Sequence, residues 1–289
     1  MKETKSQKQP LLGTTLMSMT DREFQQLRDL VYARLGINLT EKKRSMLIGR
    51  LQKLLRTEGF ENFQDYYDFL VNESNMTAMT ELVNRVTTNY SFFYRGKSHF
   101  EFFMQRAFPE ILDTLKKRNS RDIRIWTAGC STGEEPYMII MLMMEYLERE
   151  YGLWDSGILA TDISEKALKF ALEGIYPEDR AKELPKRFKL KHFDKPVDGQ
   201  LALKDAVKKE VVFRKFNLKN NYFPFKKPFQ IIFCRNVMIY FDKQTREKLL
   251  QQFCEVTETG GYLFIGHSET LGREQQRYKY IMPAVYQKL

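Results

Sequence analysis

An α/β protein, with a small helical domain ahead of a doubly wound parallel sheet, is what this 289-residue sequence predicts, and three features carry the expectation. Residues 20–88 place apolar side chains at three- and four-residue steps and contain no strand-like run. From about residue 119, short buried-type runs alternate with helical stretches, the pattern of β-α-β units closing a parallel sheet. Between the first such run and its helix stands the glycine-rich turn Ala128-Gly129-Cys130-Ser131-Thr132-Gly133, and folds of this kind take ligands at the carboxyl ends of their strands.

The helical part opens at Thr20, where Thr20 and Glu23 form a capping-box signature and Phe24, Leu27, Leu30, Val31 and Leu35 follow on one face before Gly36. A second helix spans about 40–56. Its Leu47, Ile48, Leu51, Leu54 and Leu55 fall within roughly 120° of arc, and Lys42, Lys43, Arg50, Lys53 and Arg56 fill roughly 140° opposite them. Segments of about 63–72 and 76–87 complete the unit. A long helix is expected over 97–117, then a strand at Ile123–Ala128, a helix over 135–150 and a strand at Gly157–Thr161. Ser164 is the candidate cap of the next helix. In the lysine-rich stretch from Leu184 to Phe216, the runs at Gln200 and at Val211 suit small antiparallel strands about the turn Asp198-Gly199. Phe229–Cys234 reads as a buried strand, 243–257 as a helix and Gly261–Gly266 as a strand. The resulting organisation is a flexible tail at 1–18, a helical domain at 19–88, a linker and connecting helix at 89–118, and an α/β domain at 119–289 with a β-subdomain at about 184–216.

Composition narrows the function. Forty-seven Lys and Arg against 37 Asp and Glu give a net charge of +10, which points to an anionic partner: nucleic acid, lipid or an acidic protein. With 43% hydrophobic residues, 22 Phe and 15 Tyr, disorder is excluded for most of the chain. Three widely spaced cysteines fit a reducing compartment, and the three histidines have no metal-ligand spacing, so no metal is expected. The lysine-bearing N-terminus lacks the apolar core of a signal peptide, and the longest apolar run, Met138 to Met144, is too short to span a bilayer. A cytoplasmic protein with no membrane insertion is expected.

Four segments could carry chemistry. The 128–136 turn offers close backbone approach and a helix N-terminus. It also satisfies G-x-S-x-G, so a serine hydrolase using Ser131, with Asp242 and His267, is an alternative. Asp162 ends the second strand, where a carboxylate can either accept from ribose hydroxyls or cap the next helix. The run Cys234-Arg235-Asn236-Val237-Met238-Ile239-Tyr240-Phe241-Asp242 directly follows a buried strand. Thr88-Asn89-Tyr90-Ser91-Phe92-Phe93-Tyr94-Arg95 lies at the domain junction, where binding sites concentrate.

Taken together, from about Thr20 to the C-terminus, these segments and the late Gly266-His267-Ser268-Glu269 run resemble the chemotaxis receptor methyltransferase (CheR) family in order and spacing. The resemblance implies a Rossmann-like domain dependent on S-adenosylmethionine, yielding S-adenosylhomocysteine, that esterifies glutamate carboxylates on the cytoplasmic helices of chemoreceptors. It implies Arg95 and Tyr240 as the chemical residues. Asn89, Ser91 and Arg95 would contact the methionyl end or line the acceptor site, Glu134 or Glu135, with Glu135 preferred, would engage the methionyl moiety, Asp162 the ribose, Asn217 and Leu218 the adenine, while Arg235 and Asn236 close the pocket. Ser91 stands where threonine is common in the family. The basic helix face, with Lys43, Arg50, Lys53 and Arg56, becomes a candidate receptor-docking surface. A shorter loop at 193–199 than in tether-binding members argues against a receptor tether, and a monomer is expected. No D/N-P-P-[YF] run follows the fourth strand, which disfavours nucleic acid as substrate. A catalytically silent cofactor-binding docking module is the other alternative.

Overall fold

The computed structural model describes residues 17–72, 76–87, 90–272 and 276–289; the expected tail, apart from residues 17 and 18, and Asn89 lie outside them. Four helices form the first unit: α1 (Asp21–Leu35), α2 (Arg44–Glu58), α3 (Phe63–Val71) and α4 (Met76–Val86). The capping box is present in full, with Thr20 N donating to Glu23 Oε2 at 2.7 Å and Glu23 N to Thr20 Oγ1 at 3.3 Å. Glu23 Oε1 also accepts Gln64 N at 3.0 Å, so one carboxylate fastens the starts of both α1 and α3. Phe24, Leu27, Val31, Leu47, Leu51, Leu55, Phe63 and Leu82 make the core of this unit.

The connecting helix is not continuous. Its two α-helical parts, α5 (Lys97–Phe102) and α6 (Phe108–Lys117), flank a π-helical turn at Phe103–Ala107. There follow β1 (Asp122–Ala128), α7 (Glu134–Leu147), β2 (Asp155–Asp162), α8 (Glu165–Glu173), β3 (Ile175–Pro177), α9 (Lys186–His192), β4 (Gln200–Ala202), α10 (Asp205–Lys208), β5 (Val211–Lys215), β6 (Phe229–Cys234), α11 (Lys243–Glu255), β7 (Thr257–Ile265), β8 (Tyr278–Met282) and β9 (Val285–Lys288). The main sheet runs β5-β2-β1-β6-β7-β9-β8, its first five strands parallel and the last two antiparallel. Both faces are covered. Ile123, Ile125, Ile231 and Phe233 pack under α7 and the α5–α6 segment, while Trp126, Ile232 and Leu263 pack against α11. Alternation of side chains along each strand therefore feeds two apolar layers, as in a sheet buried on both sides.

Two expectations are corrected. Gln200–Ala202 does pair antiparallel, but with Ile175–Pro177; the Asp198-Gly199 turn sits beside it, closed by the Val197–Gln200 bridge. Val211–Lys215 instead joins the main sheet as an edge strand parallel to β2. Its buried Val211 and Phe213 alternating with exposed Val212 and Arg214 would look the same in either setting. The carboxyl-terminal hairpin β8-β9 was not anticipated.

Register positions the site. Ala128 lies opposite Thr161, and Thr127 opposite Phe233, so β1, β2 and β6 end at one edge. The turns that follow them, at 129–133, 162–164 and 235–240, converge there.

Candidate active site

A cleft opens at that edge, roofed by the helical unit. Ser91, Arg95, Glu135, Asp162, Asn217, Leu218, Arg235, Asn236 and Tyr240 all line it, together with Leu35 and Ile37 from the end of α1. Nine of the residues singled out in the sequence are thus brought together; Glu134 is not among the lining residues, and Asn89 is not described.

Local geometry explains the convergence. At Gly129 φ is +81°, and a Cβ there would overlap Val237, so the first strand can turn beneath the 235–240 loop only with glycine. Gly96 has φ +73°, and a Cβ would collide with the Arg235 guanidinium. That guanidinium is a central tie: it pairs with Glu135 Oε2 at 2.7 Å, donates to the Arg95 carbonyl at 2.5 Å and lies over the Phe100 ring at 5.4 Å. Burial pushes the Glu135 carboxyl up, and the charges of Arg235 and then Arg95 oppose that rise.

Asp162 is buried, and each of its oxygens accepts one backbone N–H, from Ser131 and from Ser164, both at 2.8 Å. Burial raises its pKa, and the backbone hydrogen bonds counter it. The cap of α8 is Ser164, whose Oγ accepts Ala167 N at 3.1 Å, so Asp162 itself is left facing the cleft.

Other predicted residues are tied into the fold as well. Glu134 is fully buried and bonds Thr132 and Arg180. The Asn217 side chain donates to the Arg34 carbonyl at 2.8 Å, helping to cap α1, while Leu218 supplies apolar wall. On the basic face, Lys53 and Arg56 are exposed, and Lys43 lies in a short turn ahead of α2, 5.2 Å above the Tyr240 ring. Arg50 is half-buried and donates to the carbonyls of Arg85, Val86 and Thr87, closing the end of α4.

The hydrolase constellation does not assemble. Asp242 caps α11 through Thr245 N and accepts the Tyr32 hydroxyl at 2.6 Å; His267 lies against His99, their rings 4.1 Å apart. Neither bonds Ser131 Oγ. Sequence reasoning passed over two residues that build the site, Arg180 and Glu269. The Glu269 carboxylate accepts the backbone N–H groups of Gly266, Asn236 (3.2 Å) and Ile239 (3.0 Å), holding the loop in which Asn236 takes a φ of +61°. Its place in Gly266-His267-Ser268-Glu269 was visible, its task was not.

A glycine turn after the first strand, a carboxylate at the end of the second and a cleft over the switch in strand order define a nucleoside-cofactor enzyme of the α/β class. Residues 22–87 match the family described as CheR methyltransferase, all-alpha domain, and residues 89–286 that described as CheR methyltransferase, SAM binding domain. The sequence is 43% identical over 272 residues to the chemotaxis protein methyltransferase of Borreliella burgdorferi, covering 94% of this chain and 96% of that one. It is 35% identical to a probable chemotaxis protein methyltransferase of Rhizobium etli (85% and 91% covered) and 32% identical to the chemotaxis protein methyltransferase of Escherichia coli K12 (94% and 93%). The chain belongs to the CheR methyltransferase family and is an S-adenosylmethionine-dependent methyltransferase.

The cleft fits that cofactor chemically. It presents a carboxylate with lone pairs to spare for a diol, a carboxylate–guanidinium pair for an amino-acid zwitterion, and apolar wall from Phe216, Leu218 and Val237. Ser131 Oγ and Arg235 Nε, both buried and without a hydrogen-bond partner among the described residues, belong to residues that line it.

Proposed function

We propose that this enzyme methylates glutamate side-chain carboxylates on the cytoplasmic helices of chemoreceptors. One observation carries the choice of acceptor: no uncommitted base stands among the described residues of the cleft. Its two carboxylates are engaged, Glu135 with Arg235 and Asp162 with two backbone N–H groups, and neither histidine nor lysine is among the described lining residues. An amine or hydroxyl would have to lose a proton to react, whereas a glutamate with a pKa of ~4.3 is already a nucleophilic anion near neutrality.

S-adenosylmethionine supplies, when bound, an activated methyl on a sulfonium centre. The protein's share is to bind, orient and desolvate. In this reading Asp162 holds the ribose, Glu135 and Arg235 the methionyl end, Ser91 and Asn236 the cleft wall near it, and Leu218 with the Asn217 backbone the adenine. Arg95 and Tyr240 orient the incoming carboxylate by charge-assisted and phenolic hydrogen bonds. Lys53 and Arg56, with Lys43 at the lip of the cleft, meet the acidic receptor surface; Arg50 sustains that face from beneath through α4.

A pH–rate profile at saturating cofactor tests the missing base. A plateau in kcat from about pH 6.5 to 9 is expected. A continuing rise across that range would point to an acceptor that must be deprotonated. Cofactor binding with no transfer to a receptor fragment would favour the silent docking module.

A further inference from the structure

The small β3-β4 sheet and the turn after β3 reach the cofactor turn through two side chains, Arg180 and Tyr176. Arg180, in the short turn Glu178–Ala181 after β3, donates from Nη1 to Glu134 Oε1 at 2.6 Å, Thr132 Oγ1 at 3.0 Å and the Ser91 carbonyl at 3.3 Å. Its own carbonyl accepts Phe93 N at 2.9 Å, and its guanidinium carbon lies 5.8 Å from the Tyr90 ring. From β3 itself, the Tyr176 hydroxyl donates to the Thr132 carbonyl at 2.7 Å. Two arginines therefore hold the 90–95 segment from either end: Arg180 at Ser91 and Phe93, Arg235 at Arg95.

We propose that Arg180 is a positioning residue for methyl transfer, setting the register of Ser91 and Arg95 against the turn that follows β1. Glu134, fully buried, is the anion that fixes the guanidinium in place. One terminal nitrogen, Nη1, serves acceptors from both segments at once; a lysine ammonium keeps the charge but sits one bond closer to the backbone, so it falls short of that position. Small displacements of an orienting group are costly to turnover, which is why the effect should fall on kcat. The inference rests on the orienting role given above to Arg95.

Two full-length variants test it. Arg180→Lys retains the counter-charge of Glu134. The double variant Glu134→Gln with Arg180→Gln removes both charges, so that no buried carboxylate is orphaned. Hydrogen exchange over residues 90–95, S-adenosylhomocysteine affinity by calorimetry, thermal midpoint, and kcat and KM with a receptor fragment are measured on each. Exchange over 90–95 should rise, and kcat should fall, by about tenfold or more in Arg180→Lys, with acceptor KM changed by less than about threefold. The double variant should recover the midpoint but not kcat. Wild-type exchange and kcat in Arg180→Lys, or recovery of kcat along with stability in the double variant, would overturn the inference. If the wild-type enzyme transfers no methyl to the fragment, the proposed acceptor is wrong; the exchange comparison then decides on Arg180 alone.

Discussion

At the scale of single residues, Arg95 and Tyr240 line the cleft, and among the described residues the one side-chain hydrogen bond of either is that from Arg95 to the Tyr90 carbonyl at 3.2 Å. Arg95→Ala and Tyr240→Phe should each lower kcat by about tenfold or more while S-adenosylhomocysteine affinity changes by less than about threefold. Glu269 acts one layer back. Glu269→Gln would turn an amide donor toward backbone N–H groups that now share a carboxylate, and a loss of about 2 kcal/mol in urea unfolding, with reduced kcat, is expected. His99 gives a pH signature. Burial first, then the charges of Arg235 and His267, lower its pKa to about 3. The unfolded chain takes up that proton near pH 6.5 and the folded chain does not, so this group's contribution is intact above about pH 6.5 and is lost as the pH falls toward 3, by at most ~1.4 kcal/mol per pH unit. His99→Gln should flatten the acid limb of the stability curve between pH 6 and about 4.5; an unchanged slope would refute the assignment.

At the scale of elements, the strands and helices that build the cleft were legible because each announces itself locally. Phe229–Cys234 is apolar at nearly every position, Thr20 and Glu23 state a helix start, and glycines mark the turns. Three-residue strands such as Ile175–Pro177 have no period to read, and the edge strand Val211–Lys215 carries an alternation common to sheets and hairpins. The π turn at Phe103–Ala107 leaves the apolar spacing of a helix nearly intact. Site residues were legible where a motif stands at a strand end, as Asp162 and Arg235 do. The structural ties of Arg50 and Asn217 were not legible because their hydrogen bonds close over long stretches of chain, onto carbonyls of α4 and α1 that no sequence pattern signals. The same logic gives Glu23 more weight than a cap: Glu23→Ala frees N–H groups at the starts of α1 and α3, and should cost about 1–2 kcal/mol in unfolding with cofactor affinity retained.

At the scale of the whole molecule, the helical unit is latched to the rim of the cleft. Tyr32 bonds Asp242, Lys219 caps the carbonyls of Tyr32 and Ala33, and Asn38 N donates to the Tyr240 carbonyl at 2.8 Å. A receptor helix bound to the basic face of α2 would thereby lie beside Tyr240, with Lys43 between them. On the proposed docking, in which the excess of +10 attracts the receptor, receptor-fragment affinity should weaken steadily between about 50 and 300 mM salt while cofactor affinity holds. Lys42→Glu with Lys53→Glu should reproduce the high-salt affinity at low salt. The central claim is that an already ionised carboxylate is the acceptor. Incubation with methyl-labelled S-adenosylmethionine and a receptor cytoplasmic fragment, followed by mild base, tests it most directly: label on glutamate that base releases as methanol is the predicted result, and base-stable label, or label on nucleic acid instead, would contradict it.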